Sequence, residues 1–311
     1  MSRLRSPLPS LHELQTGGKR VVASALAAVE TARGTPELVA LLDAAARAGK
    51  AHVLGLTGPP GVGKSTLTNT LVRRTRAMGE TIAVLAVDPS SRRTGGALLG
   101  DRARIQTDPE DRGVFVRSMA ARDRLGGLSD DAIAVAVLLR AVFDRVIVET
   151  VGVGQSEADI NLVADTVVLC IQPASGDSLQ FMKAGVMELP DIIVVTKADM
   201  ADIARRAAAD VSGALSLAGA GGSWDVPVIR LSAASGEGLD AFDAAVAAHE
   251  AHLTASDLRR VNRASQEQRW VEEAIKVRFG TEGLTLARGM GVAEAGPFAR
   301  EAAFAARLTR S

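Results

Sequence analysis

The run Gly58-Pro59-Pro60-Gly61-Val62-Gly63-Lys64-Ser65-Thr66 has the residue types and spacing needed to hold a polyphosphate. It fits the phosphate-loop pattern G-x-x-x-x-G-K-[ST]. Glycines let backbone N–H groups turn towards phosphate oxygens, and a following helix adds positive potential at its N-terminus. Lys64 is expected to reach the β- and γ-phosphates, and Ser65 to place its hydroxyl on Mg²⁺. A second group is Val146-Ile147-Val148-Glu149-Thr150-Val151-Gly152, an apolar run that delivers an acid to its C-terminal end. Ligands of open α/β sheets bind at such ends. Glu149 can hold Mg²⁺ directly or through a water, and Gly152 can bring its N–H to the γ-phosphate. Asp is the usual residue there; the extra methylene of Glu favours the water-mediated role. Asp88, in Val87-Asp88-Pro89-Ser90-Ser91, stands at another strand end, where it could orient the attacking water or bind a metal-bound one. Asp101 follows a Gly-rich stretch and is a further acid for the Mg²⁺ environment. A segment of that composition suits a switch loop, ordered by γ-phosphate and Mg²⁺ and released on hydrolysis.

Thr196-Lys197-Ala198-Asp199 closes another apolar run and is similar to the guanine-reading motif Asn-Lys-x-Asp. Asp199 can accept two hydrogen bonds, from guanine N1–H and the 2-amino group. Adenine offers neither donor and would leave a carboxylate unpaired, a mismatch worth roughly 10⁴ in affinity. Lys197 can lay its aliphatic stem along the base. Thr196 replaces the commoner Asn, a change worth about 1 kcal/mol of base binding. Ser232-Ala233-Ala234 ends the next run, where a backbone N–H can meet guanine O6.

These groups need a sheet whose strand ends converge. Strand-like runs cover 53–57, 82–87, 114–116, 146–149, 166–171, 192–196 and 226–231, with helical runs between most of them. Such alternation predicts an α/β fold, a P-loop NTPase with a mainly parallel sheet covered on both faces. A helical segment over 129–143 separates the runs at Val114 and Val146, long enough for a crossover between parallel strands. A Ras-like domain would have a hairpin there. The chain thus looks like the branch of signal-recognition and metallochaperone GTPases. Helices are expected over 11–32, broken at Gly17-Gly18, and over 36–47, 67–78, 239–253 and 256–279, with a weaker helical pattern in the Ala-rich last thirty residues. The expected organisation is an N-terminal helical extension (1–50), a G domain (51–254) and a C-terminal helical extension (255–311).

Composition narrows the class. The 311 residues are 47% apolar, enough for a sizeable core, and the formal charge is +0, so no global field draws nucleic acid or a membrane. A single Cys excludes a disulfide framework. Cys170 lies in an apolar run and reads as core. No apolar run approaches the roughly 20 residues that span a bilayer. With no basic-then-apolar leader pattern, the expectation is a cytoplasmic protein. Arginines crowd 92–124 with interleaved acids and no aromatic platform, which favours a salt-bridged surface over nucleic-acid binding. His249 and His252 read as a surface pair on a helix, and no tightly bound metal is expected.

Three further stretches carry a family resemblance: Ala86 to Ser91 leading through Thr94-Gly95-Gly96-Ala97-Leu98-Leu99-Gly100-Asp101; Glu149-Thr150-Val151-Gly152-Val153-Gly154-Gln155-Ser156-Glu157; and Ala174-Ser175-Gly176-Asp177 with Gln180 and Lys183-Ala184-Gly185. With the phosphate loop they closely resemble the MeaB (ArgK-type) G proteins, GTPase chaperones of adenosylcobalamin-dependent acyl-CoA mutases, notably methylmalonyl-CoA mutase. The resemblance runs from about Leu11 to near Arg278. It implies GTP/GDP and Mg²⁺ as ligands, with cobalamin met only through the partner mutase. It implies a homodimer, slow GTP hydrolysis stimulated by the partner, gating of cofactor loading and protection of the mutase. It places Asp88, Asp101 and Glu149 around Mg²⁺ and the attacking water, and Gln155 near the γ-phosphate. It puts Asp177, Gln180 and Lys183 in an extra switch that touches the partner. Two alternatives remain: a metal-delivery GTPase, which would want a His-rich or paired-Cys site, and an ArgK-type transport ATPase or kinase.

Overall fold

The structure is a computed structural model describing residues 7–89, 105, 107, 108, 110–121, 128–150, 159–173, 189–218, 223–289 and 295–309. Helices α1 (Leu11–Thr16), α2 (Gly18–Thr31) and α3 (Pro36–Ala48) come first. A capping box starts α1: the Ser10 hydroxyl accepts the Glu13 N–H, and the Glu13 carboxylate accepts the Ser10 N–H. The break between α1 and α2 falls at Gly17, as the glycine pair predicts. Pro36 occupies the first turn of α3, where its missing N–H costs nothing.

A seven-stranded, wholly parallel sheet follows, with order β3-β2-β4-β1-β5-β6-β7. The strands are β1 (His52–Thr57), β2 (Ile82–Pro89), β3 (Val114–Ala121), β4 (Arg145–Thr150), β5 (Thr166–Ile171), β6 (Ile192–Val195) and β7 (Val228–Arg230). β3 continues to Ala121 rather than stopping near 116, because it pairs with β2 from Ile82↔Val114 to Pro89↔Ala121. The intervening helices are α4 (Lys64–Ala77), α5 (Asp130–Val142), α6 (Ala201–Ala218) and α7 (Leu239–Ala255). The crossover that separates this topology from a hairpin is α5, which the Ser129 hydroxyl caps.

Residues of opposite parity on the strands feed different cores. Val53, Leu85, Val146 and Val148 pack with α2, α3 and α5, while Leu54, Leu56, Val84 and Ile147 pack with α4 and α7. Leu169, Ile171 and Val195 meet α6. Both faces are therefore buried, which is why the strands read as near-continuous apolar runs.

The last helices are α8 (Leu258–Arg288) and α9 (Pro297–Leu308). Gly280 breaks α8 with φ 71°, ψ −174°, so the helix expected over 256–279 is its first part and a second helical stretch continues to Arg288. The weak pattern of the last thirty residues includes a regular helix, α9. Phe298 of α9 packs on Trp270 with ring centroids 4.6 Å apart, in the same core as Leu26, Leu42 and Leu138. The buried Asp43 carboxylate of α3 accepts the Phe298 and Ala299 N–H groups at 3.0 and 3.2 Å, capping α9 from across the fold. Burial still holds this carboxyl above its ordinary range, against the pull of those two N–H donors.

Arg263 ties α8 to the sheet. Its guanidinium forks onto Asp165 at 2.8 and 2.7 Å and donates to the Gly49 and Ala51 carbonyls. Burial alone would raise Asp165; the paired Arg263 outweighs it and holds the carboxyl below its usual value. One expectation fails nearby. His249 is not a surface residue but 3% exposed, packed on Trp224 and bonded to Thr166 on β5. An Ala-rich helix pattern does not show which side chain a neighbouring Trp will cover.

Candidate nucleotide site

All strands being parallel, their C-terminal ends share one edge. β1 lies between β4 and β5, where the strand order turns from one flank to the other, and the 58–66 loop leaves β1 at this point. Its first glycine, Gly58, lies at φ +136°, and a Cβ there would meet the Cys170 carbonyl oxygen at 2.2 Å. No other residue type fits this approach to β5. Burial pushes the Cys170 thiol beneath the loop up to about 12, so it is core and unreactive.

Lys64 opens α4 and is only 5% exposed. Its ammonium donates to the carbonyls of Gly58 at 2.8 Å and Pro59 at 3.0 Å, so the loop curls over this charge. Ser65, next in the same turn, donates its hydroxyl to Glu149 Oε1 at 2.8 Å. Thr68 lies three residues along the same helix face and donates to Glu149 Oε2 at 2.8 Å. Glu149 sits at the end of β4 in register with Leu56 of β1 and Ala86 of β2. Each of its carboxylate oxygens thus accepts one hydroxyl from α4. The sequence reading missed Thr68; its spacing from Ser65 on one helix face was the available signal.

Magnesium prefers oxygen ligands at about 2.0–2.1 Å, which puts neighbouring corners of its octahedron about 2.9 Å apart. The Ser65 hydroxyl and Glu149 carboxylate, 2.8 Å apart, fit that ion in donor type and spacing. Asp88 is buried two residues beyond the Ala86↔Glu149 pairing, so it faces the same side of the sheet as Glu149. Among the described residues, no group of three or more His, Cys, Asp or Glu side chains could hold another metal.

The residues of the guanine-like motif named from the sequence lie along the same edge. Thr196 donates both its N–H (2.9 Å) and its hydroxyl (3.1 Å) to the Ile171 carbonyl, joining the ends of β6 and β5. Its hydroxyl therefore acts inside the protein. Lys197 takes a left-handed conformation (φ 55°, ψ 45°), which turns the chain sharply. The Ala198 N–H then donates to the Leu231 carbonyl at 3.2 Å, fixing the motif to the end of β7. This leaves Asp199 exposed at the rim. At the next strand end, Ser232 is buried; its carbonyl accepts the Gly236 N–H and its hydroxyl the Ser235 N–H. Ala233 and Ala234 form the outer part of this turn, half-buried and exposed.

The edge thus gathers Gly58–Thr66, Asp88, Glu149, Thr196–Asp199 and Ser232–Ala234. Asp101, Gly152, Gln155, Asp177, Gln180 and Lys183, named from the sequence, lie outside the described residues.

This sheet order, loop and acid define a P-loop NTPase. The particular family follows from comparison. Residues 22–282 match the family model described as Methylmalonyl Co-A mutase-associated GTPase MeaB, and the chain belongs to that family. A Pyrococcus horikoshii protein, provisionally named a GTPase, is 49% identical over 62% of this chain and 61% of its own. The chain thus spans less than two thirds of that relative. A Caulobacter vibrioides protein, also provisionally named a GTPase, is 37% identical over 86% of this chain and 84% of its own. A protein of Cupriavidus metallidurans named fused isobutyryl-CoA mutase is 38% identical over 61% of this chain and 18% of its own length. Among solved structures, one titled LAO/AO transport system kinase superposes with TM-score 0.69 at 26% identity, over 96% of this chain and 95% of that one. HypB from Helicobacter pylori, solved with nickel, shares the fold with TM-score 0.50 at 18% identity over 72% and 94% of the two chains.

Proposed function

We propose that the chain is a GTP-binding and GTP-hydrolysing chaperone of an adenosylcobalamin-dependent acyl-CoA mutase, with methylmalonyl-CoA mutase the leading partner. The observation that carries the reading is the meeting of the Lys64–Ser65–Glu149 cluster and the Thr196–Asp199 turn at one sheet edge. Nucleotide phosphates exchange the Gly58 and Pro59 carbonyls for themselves as acceptors of the Lys64 ammonium. Ser65 and Glu149 hold Mg²⁺, with Thr68 fixing the second carboxylate oxygen. When bound, the ion neutralises charge between the β- and γ-phosphates. Asp88 and Asp101 complete the acidic environment and orient the attacking water, and the Gly152 N–H meets the γ-phosphate. Asp199 reads guanine, with the Ala233–Ala234 backbone at O6.

The partner reading rests on the family description and on a fused mutase that contains a similar stretch. In this reading hydrolysis is slow alone and quickened by the mutase. Asp177, Gln180 and Lys183 carry the nucleotide state to the partner, so that cobalamin loading is gated and the mutase protected. Residues 255–311 serve as the dimerisation extension of a cytoplasmic homodimer. The test is co-purification with the acyl-CoA mutases of the same genome, with GDP and with a non-hydrolysable GTP analogue. Association that depends on the nucleotide is expected; none with any mutase would overturn the partner assignment. The likeness to a structure titled a transport system kinase supports one other reading, phosphate transfer to a protein. Radiolabel from the γ-phosphate appearing on a protein, with ATP and GTP used equally, would favour it.

A further inference from the structure

The ends of β1 and β4 carry a polar pair outside the phosphate, metal and base contacts. Thr57 closes β1 directly before Gly58, and Thr150 closes β4 directly after Glu149. The Thr150 hydroxyl donates to the Thr57 hydroxyl at 3.3 Å. Both residues are buried, 2% and 3% exposed. Leu56 pairs with Glu149, so the two threonines stand side by side one residue further on.

Their surroundings are apolar. On the same face of these strands, Val53 pairs with Val146 and Gly55 with Val148. The lateral neighbours are Leu169 of β5 for Thr57 and Val87 of β2 for Thr150. Among the described residues, neither hydroxyl makes another hydrogen bond. Two valines would fill this space at similar stability, because replacing both partners of a buried hydrogen bond by apolar groups of the same shape is nearly neutral. The hydroxyls add what valines lack, a directional link between the two strand ends. Glu149 points to the other face, where Ser65 and Thr68 donate to its two carboxylate oxygens at 2.8 Å each. The end of β4 is thus held from both faces, by α4 on one and by β1 on the other. Rotation of this strand end would carry the acid away from Ser65, and the link to Thr57 resists it.

We infer that Thr57 and Thr150 are a positioning pair for GTP hydrolysis. Their hydrogen bond sets the end of β4, and with it Glu149, against the phosphate loop. The inference rests on the GTP-hydrolysing reading above. The pair acts through Glu149 and the loop rather than on the nucleotide.

A double-mutant cycle on the full-length protein tests it, with Thr57→Val, Thr150→Val, the double variant and Thr150→Ser. Single-turnover GTP hydrolysis titrated with Mg²⁺ and urea unfolding are measured for each. Each single Val variant should hydrolyse GTP about three- to tenfold more slowly, the factor for one hydrogen bond, and need more Mg²⁺ for its half-maximal rate. The double variant should be no slower than either single, because the bond is already broken. Thr150→Ser should keep the wild-type rate. Stability should move differently: a single Val leaves one buried hydroxyl unpaired, and the double variant recovers most of that loss. Should a single variant fail to fold, the double variant decides, with slow hydrolysis at near wild-type stability expected. Additive rate losses, a wild-type rate in the double variant, or equal losses in Thr150→Ser and Thr150→Val would overturn the positioning role. Undiminished hydrolysis in Thr150→Val would overturn it alone, whereas wild type that hydrolyses no GTP, with or without a mutase, would overturn the GTPase reading and this role with it.

Discussion

Gly58→Ala tests the geometry of the phosphate loop. The new Cβ would lie 2.2 Å from the Cys170 carbonyl oxygen, whereas carbon–oxygen contacts rest at about 3.3–3.6 Å. The loop or the end of β5 must therefore give by about 1 Å. The φ of +136° adds strain of about 1–3 kcal/mol for a residue with a side chain. Moving the loop also moves the Gly58 carbonyl that accepts Lys64. If about 2 kcal/mol of this is recovered only by leaving the phosphate-competent shape, nucleotide binds roughly 30-fold more weakly. Gly61→Ala is the control. It has φ 75° with nothing within 4 Å of its Cβ, so it carries only the left-handed cost of about 1–2 kcal/mol. Calorimetric titration with GDP and Mg²⁺, alongside urea unfolding, compares the two variants. Gly58→Ala should lose clearly more affinity and stability than Gly61→Ala. Equal losses, or wild-type affinity in Gly58→Ala, would refute the close approach to Cys170.

Three other variants probe the supports. Thr68→Val removes the donor to Glu149 Oε2 and should cost about 1.5–3 kcal/mol in urea unfolding and slow GTP turnover; unchanged stability and turnover would show that the hydroxyl does not hold the acid. Arg263→Met leaves Asp165 buried without its fork and should cost about 3–5 kcal/mol by urea unfolding, whereas a loss under about 1 kcal/mol would mean α8 is not anchored there. Asp144 accepts from Thr81 and Lys50, which outweigh the opposing effect of burial and hold its carboxyl at about 2. Since the unfolded value is higher, near 3.8, its stabilisation is full above that pH and drains as pH falls towards 2. Asp144→Asn should therefore flatten the acid limb of a melting-temperature profile in that window, and an identical limb would contradict the shift.

The parts of this molecule readable from sequence are those set by local pattern. The phosphate loop and the apolar strands declare themselves, because a sheet buried on both faces needs uninterrupted Val, Ile and Leu. Ser129 and Pro36 mark helix starts for equally local reasons. The parts that were not readable depend on contacts distant in the chain. Asp43 caps α9 from more than two hundred residues away, and Arg263 grips Asp165 and two carbonyls preceding β1. Neither pairing has a periodicity. His249 followed the same logic, since its burial depends on Trp224 and Thr166. Thr196 sits between the two cases. It read as a departure from a base-binding motif, yet its hydroxyl serves the β5–β6 junction. Thr68 was within reach, one helical turn past Ser65, but only the β1–β4 register showed that both hydroxyls meet Glu149.

The central claim is that this edge reads guanine through Asp199. Its most direct test is calorimetric titration of wild type and Asp199→Asn with GTP, ATP and XTP in Mg²⁺. Wild type should prefer GTP over ATP by on the order of 10⁴. Asp199→Asn should lose GTP and gain XTP, because its amide donates to the xanthine 2-oxo group. Affinities for GTP and ATP within about tenfold of each other, or GTP binding unchanged in Asp199→Asn, would contradict the account.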